Sequence, residues 1–326
     1  TRWAWKGGLL GSERYKAVIV SPHLDDAVFS CGGEIARLTR QGRVLVINVF
    51  TRYLGEAKRY GMVVGAQRLR EDVAAARSLG FESLNLDELD APFRHEAYRS
   101  VGKLFRPPVD DVEYLGKLRE RVFSCLAGMD FERIYLPLAI GWHVDHMLVY
   151  EAFSPWATRA HCYYYEDAPY CLIPHATRYR MDELGEYQPA RGDRSLSPVS
   201  EVQAWWQASA AYADTAMMRN LKPWIVRQCA VPVVGAYLYR LMAAHRRQAA
   251  TVRKPHRLQP VMTLDLGELL EKKLDAMVLY ESQFREFFGN REDCRASLAA
   301  YAVRAGAKAS ALERYWQIRH AADPTA

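Results

Sequence analysis

Apolar residues in the first half of the chain form short runs that alternate with segments of helical spacing. The runs KAVIVSP (16–22) and RVLVINVF (43–50) are almost wholly apolar, which is typical of strands buried on both faces of a parallel sheet. The segments 27–42 and 66–81 follow them and have the spacing of amphipathic helices, the second closed by Gly80. Further strands are predicted at 83–86, 133–139 and 161–167, and further helices at 111–128 and 143–158.

Strands that alternate with helices predict βαβ units and a parallel sheet between helices. The expected fold is therefore α/β: a Rossmann-like, doubly wound, mainly parallel sheet with a mostly helical C-terminal portion. The alternation of predicted strands and helices ends near Pro174. We therefore place the core at 14–175 and the mainly helical portion at 176–326. Helices are predicted in the second portion at 201–221, 267–288 and 310–320.

The composition is ordinary for a globular protein, with 326 residues of which 50% are hydrophobic and 25% charged. The net charge of +6 comes from basic residues scattered among acidic ones, so we expect no nucleic-acid partner. The apolar run 232–248 leads into one basic run, 243–257. It is interpreted as a buried helix with a solvated end, and contact with a lipid or anionic group stays open as the alternative.

Cysteine spacing and hydropathy indicate the compartment. The six cysteines are spread along the chain without a CxxC pair, which favours free thiols in a reducing compartment. No signal-peptide pattern opens the sequence, and no stretch approaches the ~18 apolar residues of a membrane span. We therefore expect a cytoplasmic protein without a transmembrane segment.

Histidines and aspartates cluster where two predicted strands end. His23, Asp25 and Asp26 follow the first strand. His143, Asp145 and His146 follow the fourth. In a sheet of order 3-2-1-4-5 the first and fourth strands are neighbours, and ligands bind at their carboxyl ends. The two segments should face each other across one crevice.

Two imidazoles and one carboxylate are the ligand set of a catalytic zinc ion, which keeps one position open for water. His143 and His146 are three residues apart and share one face of a helical turn. An HxxH pattern alone is a weak signal. Its pairing with a second strand-terminal motif, HLDD, is far more specific, because packing alone does not require that coincidence.

The motifs SPHLDDAVFSCGG (21–33) and GWHVDHMLV (141–149) resemble those of the LmbE/PIG-L family of zinc-dependent N-acetylglucosaminyl deacetylases. The resemblance extends more loosely to RLREDVAAARSLGF, LDELDA, YYEDAPY and KLDAMVLYESQ. It implies a hydrolase that removes an N-acetyl group from an amino sugar or a glycosylated small molecule. Zn²⁺ is the expected cofactor, with Fe²⁺ as the alternative.

Carried over by position, the resemblance implies a role for each site residue. His23, Asp26 and His146 would bind the metal, and Asp25 would be the general base. A cationic His143 would stabilise the oxyanion or protonate the leaving amine. The remaining implied positions are substrate contacts at Arg68 and Asp90, and Asp145 as a residue that orients a histidine.

The sequence departs from the family pattern at two positions. Leu24 replaces the usual proline between the histidine and the aspartates, and Gly141 stands where some members carry a mobile tyrosine. Trp142, or one of the tyrosines at 163–165, could take over that tyrosine's role. In the same strand, Glu166 and Asp167 either contact sugar hydroxyls or brace the neighbours of the metal site.

Three alternatives remain open at this point. The chain could be a catalytically silent binding module that kept the fold, or a hydrolase of a different acyl amide. A nucleotide-dependent oxidoreductase ranks lowest, because no GxGxxG follows the first strand. The expected partner is a small N-acetylated molecule, which the C-terminal portion helps to enclose. The sequence leaves the sugar, the acyl group and the oligomeric state open.

Overall fold

The computed structural model describes residues 14–54, 58–59, 62–63, 65–99, 101–105, 112–156, 159, 161–184, 203, 206–211, 232 and 256–320. The predicted helix at 201–221 is described only at 203 and 206–211, which are helical. The apolar run 232–248 and the basic run 243–257 lie almost entirely outside the described residues. Within the described residues, no helix combines the length and apolar character that crossing a membrane requires.

A sheet of seven strands forms the centre of the described structure. Its strands are β1 (Ala17–Ser21), β2 (Val44–Asn48), β5 (Glu82–Asn85), β6 (Ile134–Pro137), β7 (Cys162–Tyr165), β8 (His256–Asp265) and β9 (Leu312–His320). A separate hairpin pairs β3 (Lys58–Arg59) with β4 (Met62–Val63). The order in the main sheet is β5-β2-β1-β6-β7-β9-β8. The first five strands are parallel, which confirms the predicted α/β fold and the order 3-2-1-4-5.

Helices follow the parallel strands, as the sequence predicted. They are α1 (Asp26–Leu38), α2 (Ala66–Leu79), α3 (Ala91–Arg94), α4 (Val101–Leu104), α5 (Val112–Leu126), α6 (Val144–Ala152) and α7 (Ala176–Glu183), and in the C-terminal part α8 (Leu269–Met277), α9 (Glu281–Phe288) and α10 (Arg291–Arg304). Short 3-10 turns lie at Glu96–Arg99, Ser154–Trp156 and Tyr170–Leu172. Helix α1 packs against α8, and α5 packs against α6. Helix α2 ends as expected at Gly80, whose φ of 79° is left-handed.

Gly32 and Gly33 let the C-terminal part approach α1 closely. A Cβ atom on Gly33 would lie 2.1 Å from a methyl carbon of Leu266, and one on Gly32 would lie 2.9 Å from Cγ of Lys273. The backbone N–H groups of Gly33 and Glu34 donate to the carboxylate of Glu313 at 2.8 and 2.9 Å. The glycine pair therefore serves close packing, and its partner comes from the far end of the chain.

The helix predicted at 310–320 is wrong, because these residues form strand β9. Strand β9 runs antiparallel to both β7 and β8. Tyr315, Trp316 and Ile318 favour a pleated strand, and pairing satisfies the backbone groups of β7 that the parallel strands leave unpaired. The C-terminal portion is thus partly sheet, and it joins the sheet of the N-terminal part. The boundary near residue 175 stays a prediction.

Candidate metal centre

The two histidine segments meet at the carboxyl ends of β1 and β6, which are adjacent parallel strands. Oδ2 of Asp26 lies 3.0 Å from Nδ1 of His23 and 3.2 Å from Nε2 of His146. The same oxygen accepts the backbone N–H of His23 at 2.8 Å. Two buried imidazoles therefore converge on one carboxylate oxygen of a third buried side chain.

A carboxylate anchors the outer nitrogen of each of these imidazoles. Oδ2 of Asp145 lies 3.1 Å from Nε2 of His23, and Oδ1 of Asp167 lies 2.7 Å from Nδ1 of His146. Although burial alone would lower the pKa of His146, the carboxylates of Asp26 and Asp167 raise it to about 9. Such outer carboxylates fix the tautomer and the ring orientation of metal-binding histidines.

Two sets of side chains could hold a metal ion in the described part of the chain. The potential ligand atoms of His23, Asp26 and His146 lie within 4.8 Å of one another, and so do those of His23, His143 and Asp145. Asp145 is already engaged, because its Oδ1 pairs with Arg94 at 2.8 Å and its Oδ2 accepts the N–H of Ala91 at 3.1 Å. A cation there would face the Arg94 guanidinium, so the set with Asp26 fits a metal ion better.

Asp25 lies beside this set but makes a different contact. Its Oδ1 accepts a hydrogen bond from the guanidinium of Arg68 at 2.6 Å. Burial raises the pKa of Asp25; the positive charge of Arg68 lowers it in part, and the net shift is upward. The structure therefore places the predicted base beside the predicted ligands, and Arg68 orients it.

His143 begins helix α6, and its Nδ1 accepts the backbone N–H of Asp145 at 3.3 Å. The proton of a neutral ring then sits on Nε2. Burial and the neighbouring His23 hold the pKa of His143 well below its usual range. The sequence-based expectation was a cationic His143; its lowered pKa favours a neutral imidazole that can donate through Nε2, and the role of the residue stays a prediction. Its ring centroid lies 5.0 Å from that of His23 and 5.4 Å from that of His146.

Asp90 precedes helix α3 and is buried near the same crevice. Burial raises its pKa to about 6, while His23 and Arg68 oppose the shift. The predicted substrate contacts Arg68 and Asp90 therefore lie on the same side as the predicted base. The partner of Asp145, Arg94, was not identified from the sequence, because no motif marks it and its position follows from the short helix α3.

The loop between β6 and α6 has an unusual backbone. Ala139, Gly141 and Trp142 all have positive φ, at 60°, 90° and 57°, a conformation that costs energy outside glycine. A Cβ on Gly141 would lie 2.4 Å from Cγ of Tyr170. The Tyr170 ring packs edge-on against His146 with centroids 5.6 Å apart.

Tyr170 therefore fills the space beside Gly141, where a tyrosine of the family pattern is missing. Two of the substitutes suggested by the sequence are engaged elsewhere. Nε1 of Trp142 donates to Glu183 at 2.6 Å, and the Tyr165 hydroxyl donates to the carbonyl of Val20 at 2.8 Å. Tyr164 is fully buried in the sheet. Sequence reasoning missed Tyr170 because its contact with Gly141 and His146 depends on the path of the segment after β7, which no sequence motif indicates.

The two acidic residues after β7 are both buried, and both are held by neighbouring side chains. Asp167 holds His146, as one of the two sequence interpretations proposed. Glu166 is buried and accepts hydrogen bonds from Thr177, Tyr301 and Trp316, and it pairs with Arg314 at 2.8 Å. Glu166 thereby ties strand β7 to strand β9.

The C-terminal part also fixes helix α2, which carries Arg68. Glu71 accepts the backbone N–H of Ser282 at 3.0 Å and its hydroxyl at 2.6 Å. Asp72 accepts the Tyr280 hydroxyl at 2.9 Å. The YESQ segment (280–283) thus holds α2 in register beside the centre.

Comparisons with known proteins agree with this geometry. Residues 18–157 match the family model of PIG-L, described as GlcNAc-PI de-N-acetylase. The chain is 29% identical over 206 residues to the 2'-N-acetylparomamine deacetylase of Streptomyces fradiae, which covers 58% of this chain and 67% of that protein.

Solved structures share the fold. The crystal structure of the A40926 pseudoaglycone deacetylase Dbv21 superimposes with a TM-score of 0.58 at 20% identity, covering 95% of this chain and 100% of that one. The zinc-inhibited form of the teicoplanin deacetylase Orf2 gives a TM-score of 0.58 at 18% identity, covering 94% and 99%. Residues 18–157 of this chain therefore match the PIG-L family model, which confirms the resemblance that the two motifs carried.

Proposed function

We propose that this protein is a metal-dependent N-deacetylase that removes an acetyl group from an amino sugar or a glycosylated small molecule. The observation that carries the proposal is the convergence of His23 and His146 on Asp26, with Asp25 beside them. The relatives named above act on 2'-N-acetylparomamine, the A40926 pseudoaglycone and teicoplanin. An N-acetylated amino sugar is therefore the substrate class to test first.

We assign the metal to His23, Asp26 and His146. A divalent ion held there would polarise the amide carbonyl and lower the pKa of a bound water. Two imidazoles and one carboxylate suit Zn²⁺ and also Fe²⁺, so zinc is our first assignment and iron the alternative. Asp145 and Asp167 hold the two rings in the tautomers that such binding needs.

Asp25 takes the proton of the attacking water in this proposal. Arg68 holds its Oδ1, and Oδ2 is the oxygen to which we assign the proton. The water oxygen forms a bond to the carbonyl carbon, the C–N bond breaks, and the proton passes to the leaving nitrogen. The second proton of the water also leaves the new carboxyl group and passes to the nitrogen, so the products are acetate and the protonated amine, and atoms and charges balance without a further reactant.

His143 stabilises the negative charge that develops on the carbonyl oxygen. Its Nδ1 accepts a backbone N–H, which leaves the Nε2 proton for the substrate. A hydrogen-bond donor aimed at such a developing charge contributes about 100- to 1,000-fold in rate. Arg68 and Asp90 contact the sugar in this assignment, and the YESQ segment of the C-terminal portion completes the substrate site through its hold on α2.

We also assign the protein to the cytoplasm. Five cysteines in the described residues, Cys31, Cys125, Cys162, Cys171 and Cys294, are free thiols. Free buried thiols are typical of a reducing compartment.

The test is elemental analysis of the purified protein together with acetate release from N-acetylglucosamine and 2'-N-acetylparomamine. The proposal expects about one metal ion per chain and acetate release that is lost in Asp25→Asn with the metal retained. Asp130→Asn is the matched control, since this exposed carboxylate pairs only with Arg14 among the described residues. Metal without acetate release from any N-acetylated sugar would favour a different acyl amide. A chain that binds no metal would favour a silent binding module.

A further inference from the structure

The hydroxyl of Tyr53 is buried beside the metal centre without a hydrogen-bond partner among the described residues. Tyr53 lies in the segment that follows β2. Strand β2 is the parallel neighbour of β1, so Tyr53 and His23 both follow the carboxyl ends of adjacent strands. The segment is fixed, because the N–H of Arg52 donates to the carbonyl of Glu88 at 3.0 Å and the N–H of Asp90 donates to the carbonyl of Arg52 at 3.3 Å. Tyr53 is therefore held next to the segment that carries Asp90.

Arg68 and Phe93 enclose the Tyr53 ring. The guanidinium carbon of Arg68 lies 5.6 Å from the ring centroid, and the Phe93 ring meets it edge-on with centroids 6.1 Å apart. Nε of Arg68 is also buried and has no hydrogen-bond partner among the described residues. Two side chains whose guanidinium and ring lie 5.6 Å apart therefore each carry an unused donor.

Packing alone does not explain this pair. Leaving a buried polar group unsatisfied costs about 1–3 kcal/mol, and native structures contain few such groups. A phenylalanine would fill the same space without that cost. Burial also raises the pKa of Tyr53 above its usual range, so the hydroxyl keeps its proton and remains a donor.

We propose that the Tyr53 hydroxyl and Nε–H of Arg68 together bind one hydroxyl oxygen of the amino sugar next to its acetamido group. Both groups are donors, so their common ligand is an acceptor. A different nitrogen of the same guanidinium holds Asp25, so an acceptor bound at Nε leaves the contact with the base in place, and we assign this acceptor to the sugar ring. Tyr53 is in this way a specificity-determining residue, and the assignment rests on the proposed deacetylase function.

The test compares Tyr53→Phe with the wild type in acetate release from N-acetylglucosamine and its 3-deoxy and 4-deoxy analogues. We expect Tyr53→Phe to keep its metal and to be no less stable than the wild type. Its kcat/KM should fall about 10-fold, the size of one uncharged hydrogen bond. The wild type should lose about the same factor in kcat/KM with the 3-deoxy analogue, whose missing hydroxyl is the one next to the acetamido group. Tyr53→Phe should lose nothing further with that analogue.

Tyr15→Phe is the matched control. The Tyr15 hydroxyl donates to Glu82 at 3.0 Å, ahead of β1 and away from the crevice, so this variant should lose stability and keep its kcat/KM. If Tyr53→Phe turns over as fast as the wild type, or if every deoxy analogue loses the same factor with both proteins, the Tyr53 assignment is wrong and the deacetylase function stands. If wild-type protein releases no acetate from any N-acetylated sugar, the proposed function fails and the assignment fails with it.

Discussion

Oδ1 of Asp167 lies 2.7 Å from Nδ1 of His146, and both side chains are fully buried. The second oxygen of Asp167 accepts the backbone N–H of Ile140 at 3.0 Å. One carboxylate thus fixes the imidazole on α6 and also the loop that leads into α6. The orientation of a proposed metal ligand and the path of its loop are therefore set by the same residue.

Asp167→Asn should weaken metal binding about 10- to 100-fold, since the loss of an outer carboxylate typically has that effect. The amide keeps the shape of the side chain but lacks the charge that holds the ring. Competition with a chromogenic chelator measures the change, and Asp130→Asn serves as the exposed control. Unchanged metal affinity in Asp167→Asn would contradict the assigned role.

His143→Ala should retain the metal and lose about 100- to 1,000-fold in kcat. His143 is outside the proposed ligand set, and its Nε2 is the donor assigned to the developing charge. Steady-state kinetics on 2'-N-acetylparomamine, with metal content measured on the same sample, tests this. Loss of the metal in His143→Ala would instead favour the set that contains Asp145.

Gly141→Ala should destabilise the fold by about 1–3 kcal/mol, because the new Cβ would meet the Tyr170 ring and the backbone there is left-handed. Gly116→Ala is the control. Gly116 lies inside α5 with no atom within 4 Å of the new Cβ, so the change should stabilise by about 0.5–1 kcal/mol. Urea unfolding measures both, and equal effects would contradict the close approach of Tyr170.

Ser282→Ala should cost about 1–3 kcal/mol of stability, because it removes one of the hydrogen bonds to the buried carboxylate of Glu71. Ser297→Ala removes a hydroxyl that only bonds back to its own helix at Asp293. That control should stay within about 0.5 kcal/mol of the wild type. If the two variants unfold at the same urea concentration, Ser282 does not hold α2.

The ion pair of Arg43 with Glu82 predicts a dependence of stability on pH. The hydrogen bond from Arg43 holds the pKa of Glu82 below its usual range. A lowered folded-state pKa means that the stabilisation is present above the unfolded pKa and is lost as the pH falls through the folded one. The pair is partly exposed, so we expect less than about 1 kcal/mol.

The measurement is thermal unfolding of the wild type and Glu82→Gln at several pH values. Glu82→Gln should have the lower Tm near pH 7, and the difference should vanish as the pH falls below about 4. A difference that stays constant over this range would show that the pair does not stabilise the fold through charge.

Much of the centre could be predicted because its residues follow adjacent strands. The order of the parallel strands brings His23 and His146 together, and this order follows from alternating apolar runs. Arg94, Tyr53 and Tyr170 could not be found in that way, since each reaches the centre from a loop or a short turn whose path depends on tertiary packing. Strand β9 was predicted as a helix because a short amphipathic segment fits both periods, and pairing with β7 decided the outcome.

The contact between Gly33 and Glu313 joins residues 280 positions apart. Contacts of such long separation form late in folding, because closing a large loop costs entropy before any contact is gained. Glu313 also receives Lys273 at 2.7 Å, and neighbouring Arg314 reaches Glu166, one residue before Asp167. During synthesis the strands that precede His23 and His146 leave the ribosome first. Glu313 and Arg314 of β9 are synthesised last. The growing chain should therefore complete the site proposed for the metal only after β9 has been made.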